Sequence, residues 1–429
     1  MNKHPEIIDR LFKELTEKAA KEGHPEFAEQ FVTCYADTLE KTAVSNEDGT
    51  VHVITGDIPA MWLRDSAAQV RPYLYVAKES RELQDIIGGV VRRQFYYLQL
   101  DPYANAFNNE PSGACWERDS DDQSPWVWER KYELDSLCYP IWLAYLLWKN
   151  TGYTKHLDES FCTGVKKILE IFRIEQNHEE NSEYRFIRTR GNHTDTLSRD
   201  GKGALVKSGT GMIWSGFRPS DDACTYGYLI PSNMFAVVVL GYLEELANAV
   251  LHDEALAREA WALREEVHNG IEDYGHAVTW EFGEIYAYEA DGYGMFNLMD
   301  DANVPSLLAM TYLGYPADEK IAENTRRFIL SEGNPYFFSG KAAKGIGSPH
   351  TFSRHIWHIS LAVQGMTSKT RKEQEDILSA MIATTGGKGM MHEGFHVDNP
   401  EIYTRDWFSW ANAMYCELFL NYMGYHIEA

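Results

Sequence analysis

Amphipathic helical segments run through almost the whole chain, joined alternately by tight turns and by long polar loops rich in aromatic residues. Apolar residues recur at helical spacing from Ile7 to Leu15 and again from Phe27 to Leu39, and the pattern returns up to the C-terminal stretch 406–422. Strand-like or hairpin patterns are confined to short stretches such as 51–54, 183–206 and 280–288. This alternation favours an all-α toroid of inner and outer helices in a single domain, 1–429, although an irregular helical bundle has the same periodicity.

The net charge of the sequence argues against anionic binding partners. The sequence has 40 Lys and Arg against 64 Asp and Glu, a formal net charge of −24. Nucleic acid and an anionic membrane would both be repelled, so we expect neither as a partner. A neutral substrate is more compatible with this negative charge than an anionic one. The 12 Trp and 25 Tyr would suit a carbohydrate site, although large helical cores also use aromatic residues.

The six cysteines are widely spaced and include no Cys-x-x-Cys pair, which predicts free thiols rather than a zinc site or a disulfide framework. The N-terminal run Met1–Glu6 leads into a charged amphipathic pattern and lacks the apolar core of a signal peptide. We expect no apolar run long enough to span a bilayer. We therefore expect a cytoplasmic protein, either a monomer or a weak homo-oligomer.

The run Trp214–Cys224 resembles half of an acid/base site. Its adjacent carboxyls Asp221 and Asp222 can differ in pKa, because repulsion and burial raise the pKa of one while Arg218 keeps the other ionised. The alternative is structural: Pro219 interrupts the chain, and Asp221 only caps the next helix.

A second cluster lies where a loop enters a helix that Pro72 should kink or end. Trp62, Arg64 and Asp65 together offer a stacking surface, a fork of hydrogen-bond donors and an acceptor, which suits a ring of sugar hydroxyls. The alternative is an Arg64–Asp65 ion pair in which Asp65 caps the helix.

The long polar segment 105–128 is predicted to be a functional loop, because its aromatic content disfavours disorder. It leads into a strongly apolar helix that ends near Trp148. Glu133 and Asp135 at the head of this helix can face the same cleft, or can simply interact favourably with the helix N-terminus.

Glu393 is the candidate for the second carboxyl of a glycoside hydrolase. It lies in the glycine-rich loop 385–395, beside Met390, Met391 and Phe395, which would restrict water, and beside His392, which can pair with it. Taken alone, it reads as a solvated loop glutamate. Paired with Asp221, it matches the two carboxyls that glycoside hydrolysis commonly uses.

The stretch 352–364 is predicted as a helix that carries His355 and His358 on one face. Such a pair suits a metal, an epimerase acid/base pair or hydroxyl recognition, and the lack of a third ligand at suitable spacing argues against a metal. A helix is also predicted to start within 297–305. For Asp300–Asp301 and for 403–407, helix caps and surface ion pairs are the alternative to a role in a site.

Six ordered motifs together resemble glycoside hydrolase family 125, the exo-acting α-1,6-mannosidases. They are 55–66, 128–136, 215–224, 299–305, 348–358 and 392–395. The resemblance covers nearly the whole chain. It implies an (α/α)6 toroid with small β-hairpin insertions, inversion at the anomeric carbon, and neither a metal nor another cofactor.

The resemblance also implies roles for individual residues. The acidic pair falls on Asp221, or by a shift of one residue on Asp222, as general acid, and on Glu393 as general base. The pattern Trp62–Ser66 is similar to one with which glucoamylase-like enzymes hold the terminal sugar, so Arg64 and Asp65 would close the pocket and enforce exo action. The implied substrate-binding residues are Trp62, Arg64, Asp65, Arg218, Asp222, His355, Glu133 and Asp301. The implied substrate is an α-mannoside oligosaccharide derived from an N-glycan.

Three other functions fit parts of the sequence. A sugar epimerase on a similar toroid would use His355 and His358 as its acid/base pair. A glycan-binding protein without catalysis would use the same polar and aromatic residues. A phosphorolytic enzyme is disfavoured by the acidic composition and by Glu393, which would repel phosphate.

Overall fold

A computed structural model of the protein describes residues 4–120 and 122–429; Met1–Lys3 of the N-terminal run and Asp121 of the predicted polar loop lie outside the described residues. The helices are α1 (Glu6–Glu22), α2 (Pro25–Asp37), α3 (Leu63–Val70), α4 (Leu74–Ala77), α5 (Arg81–Leu100), α6 (Leu134–Thr151), α7 (Glu159–Glu175), α8 (His178–Asn181), α9 (Ser198–Gly201), α10 (Ile230–Leu246), α11 (Glu254–Tyr274), α12 (Met310–Leu313), α13 (Glu319–Ile329), α14 (His358–Met366), α15 (Arg371–Ala383) and α16 (Ser409–Tyr422). The strands are β1 (Ala43–Ser45), β2 (Val51–Val53), β3 (Met61–Trp62), β4 (Ala106–Phe107), β5 (Val127–Glu129), β6 (Tyr228–Leu229), β7 (His276–Thr279), β8 (Gly283–Tyr286), β9 (Glu289–Ala290), β10 (Phe296–Asn297), β11 (Phe337–Ser339), β12 (Lys344–Ile346), β13 (His355–Trp357), β14 (Gly394–His396) and β15 (Asn399–Thr404).

The prediction of a mainly helical fold is confirmed. Helices α3, α6, α10, α14 and α16 lie centrally: α6 packs against α3 and α10, and α16 packs against α3 and α14. Amphipathic helices cover them from outside, with α2 on α16, α5 on α6, α11 on α10 and α15 on α14. One apolar core extends from Ile7 to Met423. Burial of their apolar faces therefore holds the outer helices in place.

Three small antiparallel sheets lie at the N-terminal ends of central helices. Their strand orders are β3-β4-β5, β10-β9-β6 and β13-β14-β15. In each sheet one strand runs directly into a helix: β3 into α3, β6 into α10 and β13 into α14. These junctions carry most of the polar motifs of the sequence, so the sheets bring distant segments together at one end of the helices.

Helix α10 corrects one expectation from the sequence. The stretch Ile230–Leu251 is long and apolar enough, by length and composition, to cross a bilayer, whereas we expected no such run. Residues 231–240 of this stretch are all buried, and α10 packs between α6 and α11. The apolar run is explained by its place in the protein core, because a helix covered on all sides needs no polar face.

Two other local predictions were wrong, the hairpin at 183–206 and the helix start within 297–305. The stretch 183–206 contains no strand. The hairpin expected at 280–288 does form, displaced by a few residues, between β7 and β8. No helix starts within 297–305. There the carboxylate of Asp300 accepts hydrogen bonds from the backbone N–H groups of Leu307 and Leu308, at 2.8 and 2.9 Å, which stabilises an irregular segment.

The break predicted at Pro72 is confirmed. Helix α3 ends at Val70, a 3₁₀ turn covers Arg71–Tyr73, and α4 follows. The expected cap at Asp65 was wrong: Trp62 precedes the helix, and Asp65 lies within its first turn. Both Arg64 and Asp65 are buried there, since α3 lies among the central helices.

Candidate active site

A pocket of about 350 Å³ opens at the junctions of sheets and central helices. Its walls combine loops that are far apart in the sequence, and they include five residues that the sequence singled out: Trp62, Arg64, Asp65, Asp221 and Glu393. The other lining residues are Thr55, Ile58, Pro219, Ser220, Asn303, His350, Trp357, Arg405, Phe408 and Trp410. The pocket thus unites the Trp62–Asp65 cluster with both of the proposed catalytic carboxyls.

Arg64 is the central cation of the pocket. Its Nη1 donates a hydrogen bond to Glu133 Oε2 at 2.7 Å, and its Nη2 donates to Asp221 Oδ1 at 3.3 Å. The carboxylates of Asp65 and Asp135 lie 3.6 and 3.8 Å from the guanidinium. One buried cation therefore faces four carboxyls, an arrangement that is stable only if some of the carboxyls bind protons.

The pKa values follow from this excess of acids. Burial raises the pKa of Glu133 well above its usual range and raises that of Asp135 to about 7, against the opposing effect of Arg64. Burial also acts to raise the pKa of Asp221, but Arg64, a hydrogen bond with Glu133 and the ammonium of Lys131 outweigh it and lower this pKa to about 2. The shared proton therefore rests on Glu133, and Asp221 is ionised.

This result corrects the expectation for the Asp221–Asp222 doublet. We expected Arg218 to hold one of these carboxyls ionised, but Arg218 Nε donates to Glu289 Oε1 at 2.7 Å instead. The cation that keeps Asp221 ionised is Arg64, which lies more than a hundred residues earlier in the sequence. The partner that shares a proton with Asp221 is Glu133 and not Asp222.

Asp221 projects into the pocket from a strained turn. Its φ is 69°, in the left-handed region that aspartate tolerates better than most residues. Its backbone N–H donates to Arg218 O at 2.9 Å, and Lys131 Nζ donates to Asp221 O at 2.7 Å. These contacts fix a turn that would otherwise be unfavourable, as is common at functional sites.

Asn105 and Lys131 are site residues that sequence reasoning missed. Asn105 Nδ2 donates to Glu133 Oε1 at 3.1 Å and lies 3.4 Å from Asp221 Oδ1. Lys131 Nζ also lies 2.5 Å from Asp195 Oδ1. Their positions could have indicated a role, since Asn105 begins the predicted functional loop and Lys131 lies between this loop and the next helix. An asparagine and a lysine are too common in loops for the residue type alone to indicate a site.

Glu393 faces the same pocket from the residue before β14 and is 9% exposed. Within the described residues its carboxylate accepts no hydrogen bond from the protein. The expected pairing with His392 was wrong, because the ring nitrogens of His392 lie 2.9 and 3.0 Å from the backbone oxygens of Arg405 and Thr385. Glu393 is thus available to a ligand in the pocket.

His350 is a further lining residue that the sequence did not single out. Its Nδ1 donates to Asp222 Oδ1 at 3.2 Å. Burial acts to lower the pKa of His350, but this hydrogen bond and the charges of Asp222 and Glu393 raise it to about 9. An imidazolium therefore lies among the acids of the pocket, and Asp222 supports it from behind rather than lining the pocket itself.

The predicted histidine pair is not formed on one helix. His355 belongs to β13, which pairs with β14, whereas His358 begins α14. His358 has both ring nitrogens within 3.0 Å of the backbone of His392 and the hydroxyl of Thr384, and burial lowers its pKa to about 3. Neither histidine lines the pocket.

Asp301 lies behind the pocket wall. It is buried and accepts hydrogen bonds from Ser220 Oγ and Asn303 Nδ2, both at 3.3 Å, and these two residues line the pocket. The alternative of a surface ion pair was therefore wrong. Of the residues implied to bind substrate, Arg218, Asp222, His355, Glu133 and Asp301 do not themselves line the pocket.

Aromatic side chains form much of the remaining wall. Trp357, Phe408 and Trp410 line the pocket, and the Arg64 guanidinium lies 5.6 Å from the ring centroid of Trp410. In the part of the chain that the structure describes, no group of three or more His, Cys, Asp or Glu side chains is arranged to hold a metal ion.

Comparisons with known proteins show which proteins the chain resembles over nearly its whole length. The family described as metal-independent α-mannosidases (GH125) matches residues 24–420. A metal-independent α-mannosidase from Streptococcus pneumoniae, solved as a non-productive substrate complex with α-1,6-mannobiose, is 50% identical, covers 99% of each chain and gives a TM-score of 0.96. The meiotically up-regulated gene 157 protein of Schizosaccharomyces pombe is 39% identical over an alignment 446 residues long, which covers 97% of this chain and 86% of the relative. A glucoamylase from Saccharomycopsis fibuligera shares the fold alone, with 10% identity, a TM-score of 0.57, and coverage of 93% of this chain and 96% of the other.

Proposed function

Because the chain belongs to the metal-independent α-mannosidases of glycoside hydrolase family 125, we propose that it removes terminal mannose from α-1,6-linked manno-oligosaccharides derived from N-glycans, with inversion. The observation that carries this proposal is the shared pocket of Asp221 and Glu393 around the Arg64 cation. The linkage is supported by the Streptococcus pneumoniae relative, which was solved with α-1,6-mannobiose.

Exo action is supported by the buried groups of the pocket. Arg64 and Asp65 line the pocket and are only 3% and 4% exposed, so they offer a buried set of donors and acceptors on one side of it. A non-reducing terminal mannose can place its hydroxyls against such groups. We propose that these two residues form the end of the pocket, which would leave no room for an internal sugar of a longer chain and would restrict cleavage to the chain end.

The proposed mechanism uses Asp221 as general acid and Glu393 as general base. Asp221 shares one proton with Glu133, so the proton passes to Asp221 before it reaches the leaving glycosidic oxygen. Glu393 removes a proton from the water that attacks the opposite face of the anomeric carbon. The C–O bond to the leaving sugar breaks as the bond to water forms, and one displacement inverts the configuration.

We further propose that the helices form an (α/α)6 toroid in one catalytic domain. The support is the succession of central helices α3, α6 and α10, the outer helices on each of them, and the apolar core that extends over the chain. A cytoplasmic location and a monomer or weak homo-oligomer are proposed with it. The six free cysteines are compatible with a reducing compartment.

The test is proton NMR of the purified protein, with EDTA present, acting on α-1,6-, α-1,3- and α-1,2-mannobiose. We expect β-mannose as the first product, and only from the 1,6 isomer. If α-mannose appears first, a covalent intermediate forms and the base role of Glu393 is wrong. If no isomer is cleaved, a glycan-binding protein without catalysis becomes the better description.

An epimerase that uses His355 and His358 lacks support, since both ring nitrogens of His358 are hydrogen-bonded within the protein.

A further inference from the structure

The sheet β3-β4-β5 has two different faces. Met61, Phe107 and Val127 belong to the main apolar core of the protein. The alternate residues Trp62, Ala106 and Trp128 form a separate apolar cluster together with Ala60 and the partly buried Ile58. Since side chains alternate along a strand, the second cluster occupies the face turned away from the core.

This second face continues the wall of the pocket. Trp62 and Ile58 both line the pocket, and Trp128 belongs to the same apolar cluster. The small side chain of Ala106 lies on the strand between the two tryptophan-bearing strands. This mostly buried apolar cluster therefore extends from the pocket wall across the sheet to Trp128.

Trp116 extends this surface to the outside of the protein. Its ring packs edge to face on Trp128, with centroids 5.3 Å apart, and the residue is 59% exposed. Trp62 and Trp128 are 4% and 7% exposed, and the indole N–H of each has no hydrogen-bond partner in the described ranges. We call Trp62, Trp128 and Trp116 the tryptophan platform.

The loop that carries Trp116 is anchored on both sides. Before it, Asn108 Nδ2 donates to the backbone oxygen of Ala114 at 2.9 Å. After it, Asp119 accepts hydrogen bonds from Arg188 Nε and from the backbone N–H of Arg130, both at 2.8 Å. Trp116 is thus held in place before a ligand arrives, which lowers the entropy cost of binding.

We propose that Trp116, the exposed end of the tryptophan platform, binds sugars of the mannoside beyond the one joined to the scissile bond, while the buried Trp128 supports its ring. This inference rests on the proposed function, since the pocket must hold the terminal mannose. Rings of tryptophan pack against the C–H face of a sugar, and of the three rings Trp116 is the one that is largely exposed to solvent. Continuity with the pocket favours a glycan over a protein partner, and a neutral glycan is not repelled by the net charge of −24.

The test compares α-1,6-linked mannobiose with the corresponding mannotetraose. In Trp116→Ala we expect the ratio of kcat/KM for the tetrasaccharide over the disaccharide to fall by about threefold to tenfold, mainly through KM. Trp116→Phe, which keeps an aromatic ring, should restore most of the ratio. Trp261→Ala is the matched control, since Trp261 is 50% exposed and lines a separate hollow between α10 and α11, and it should leave the ratio at the wild-type value.

Calorimetric binding of mannotetraose to the Glu393→Gln variant, with and without Trp116→Ala, separates this inference from the proposed function. Weaker binding after Trp116→Ala supports the platform even if no mannoside is hydrolysed. The opposite outcome is that mannobiose is hydrolysed while Trp116→Ala changes neither the kcat/KM ratio nor the affinity for mannotetraose. That result would refute sugar binding by Trp116 and leave the proposed function intact.

Discussion

Arg64 Nη2 lies 3.3 Å from Asp221 Oδ1, so the proposed general acid is ion-paired with a buried guanidinium. The same guanidinium lies 2.7 Å from Glu133 Oε2. An acid whose pKa is about 2 does not hold a proton at neutral pH. The proton needed for the reaction is instead retained next to it, on Glu133, whose pKa burial raises.

Asp221→Asn should lower kcat on α-1,6-mannobiose by about 10²- to 10⁴-fold, because an amide cannot transfer the proton to the leaving oxygen. Asp222→Asn is the matched control, since Asp222 supports His350 and does not line the pocket. Initial rates, with circular dichroism to verify folding, provide the measurement. A larger loss in Asp222→Asn would transfer the acid role to that residue.

Glu393→Gln should lower kcat by about 10²- to 10⁴-fold while the variant still binds α-1,6-mannobiose, because the amide keeps the shape but cannot accept the proton of water. Steady-state rates and calorimetry measure the two effects. In a crystal of the complex we expect about 6.5 to 9.5 Å between the carboxyls of residues 221 and 393. A spacing near 5 Å would contradict inversion.

Arg64→Ala should lower the free energy of unfolding by about 3 to 5 kcal/mol, because Asp65, Glu133, Asp135 and Asp221 lose their shared cation. The loss should grow from pH 5 to pH 8. Without the cation the folded-state pKa values of these acids rise, and stability is lost as pH rises above about 4, the pKa of the unfolded state. Urea unfolding at both pH values is the measurement.

Arg354→Ala is the control for this prediction. Arg354 pairs with Asp398 at 2.6 Å at the protein surface, so the variant should lose much less stability than Arg64→Ala. Arg64→Lys, which keeps the charge without the forked geometry, should fall between the two. Equal losses in all three variants would argue against a special role for the buried cation.

The His350–Asp222 pair should stabilise the protein below neutral pH. The folded-state pKa of His350 is raised to about 9, so this stabilisation is fully present below pH 6.5 and is lost as pH rises through about 9. We expect the stability advantage of wild type over Asp222→Asn to shrink by about 1 kcal/mol between pH 6 and pH 9.5, a value reduced for solvent screening because the imidazole is 35% exposed. Thermal unfolding across this range is the measurement, and an advantage independent of pH would refute the prediction.

Dialysis against EDTA should leave the rate on α-1,6-mannobiose unchanged, because the family is metal-independent and the proposed steps use only carboxyls. The measurement is the initial rate before and after dialysis, with an added divalent cation as the control. Loss of activity that Zn²⁺ or Ca²⁺ restores would require a different mechanism.

Helix periodicity predicted most of the fold because it is a local property. The helical patterns at 7–15, at 27–39 and in 406–422 correspond to α1, α2 and α16, and Pro72 interrupts its helix as expected. The same reasoning failed at His355, where pairing of β13 with β14 overrides the helical pattern. It also failed at 297–305, where the buried carboxylate of Asp300 holds an irregular backbone.

The sequence by itself determined the chemical groups of the site, namely Trp62, Arg64, Asp65, Asp221 and Glu393, because residue type and motif order are written in it. Only the tertiary structure decided how these groups are charged and which of them face the pocket. A pKa depends on burial and on charges within a few ångströms, and those charges come from segments far apart in the chain. The ionised state of Asp221 is therefore a property of the fold, in which Arg64, Lys131 and Glu133 surround it.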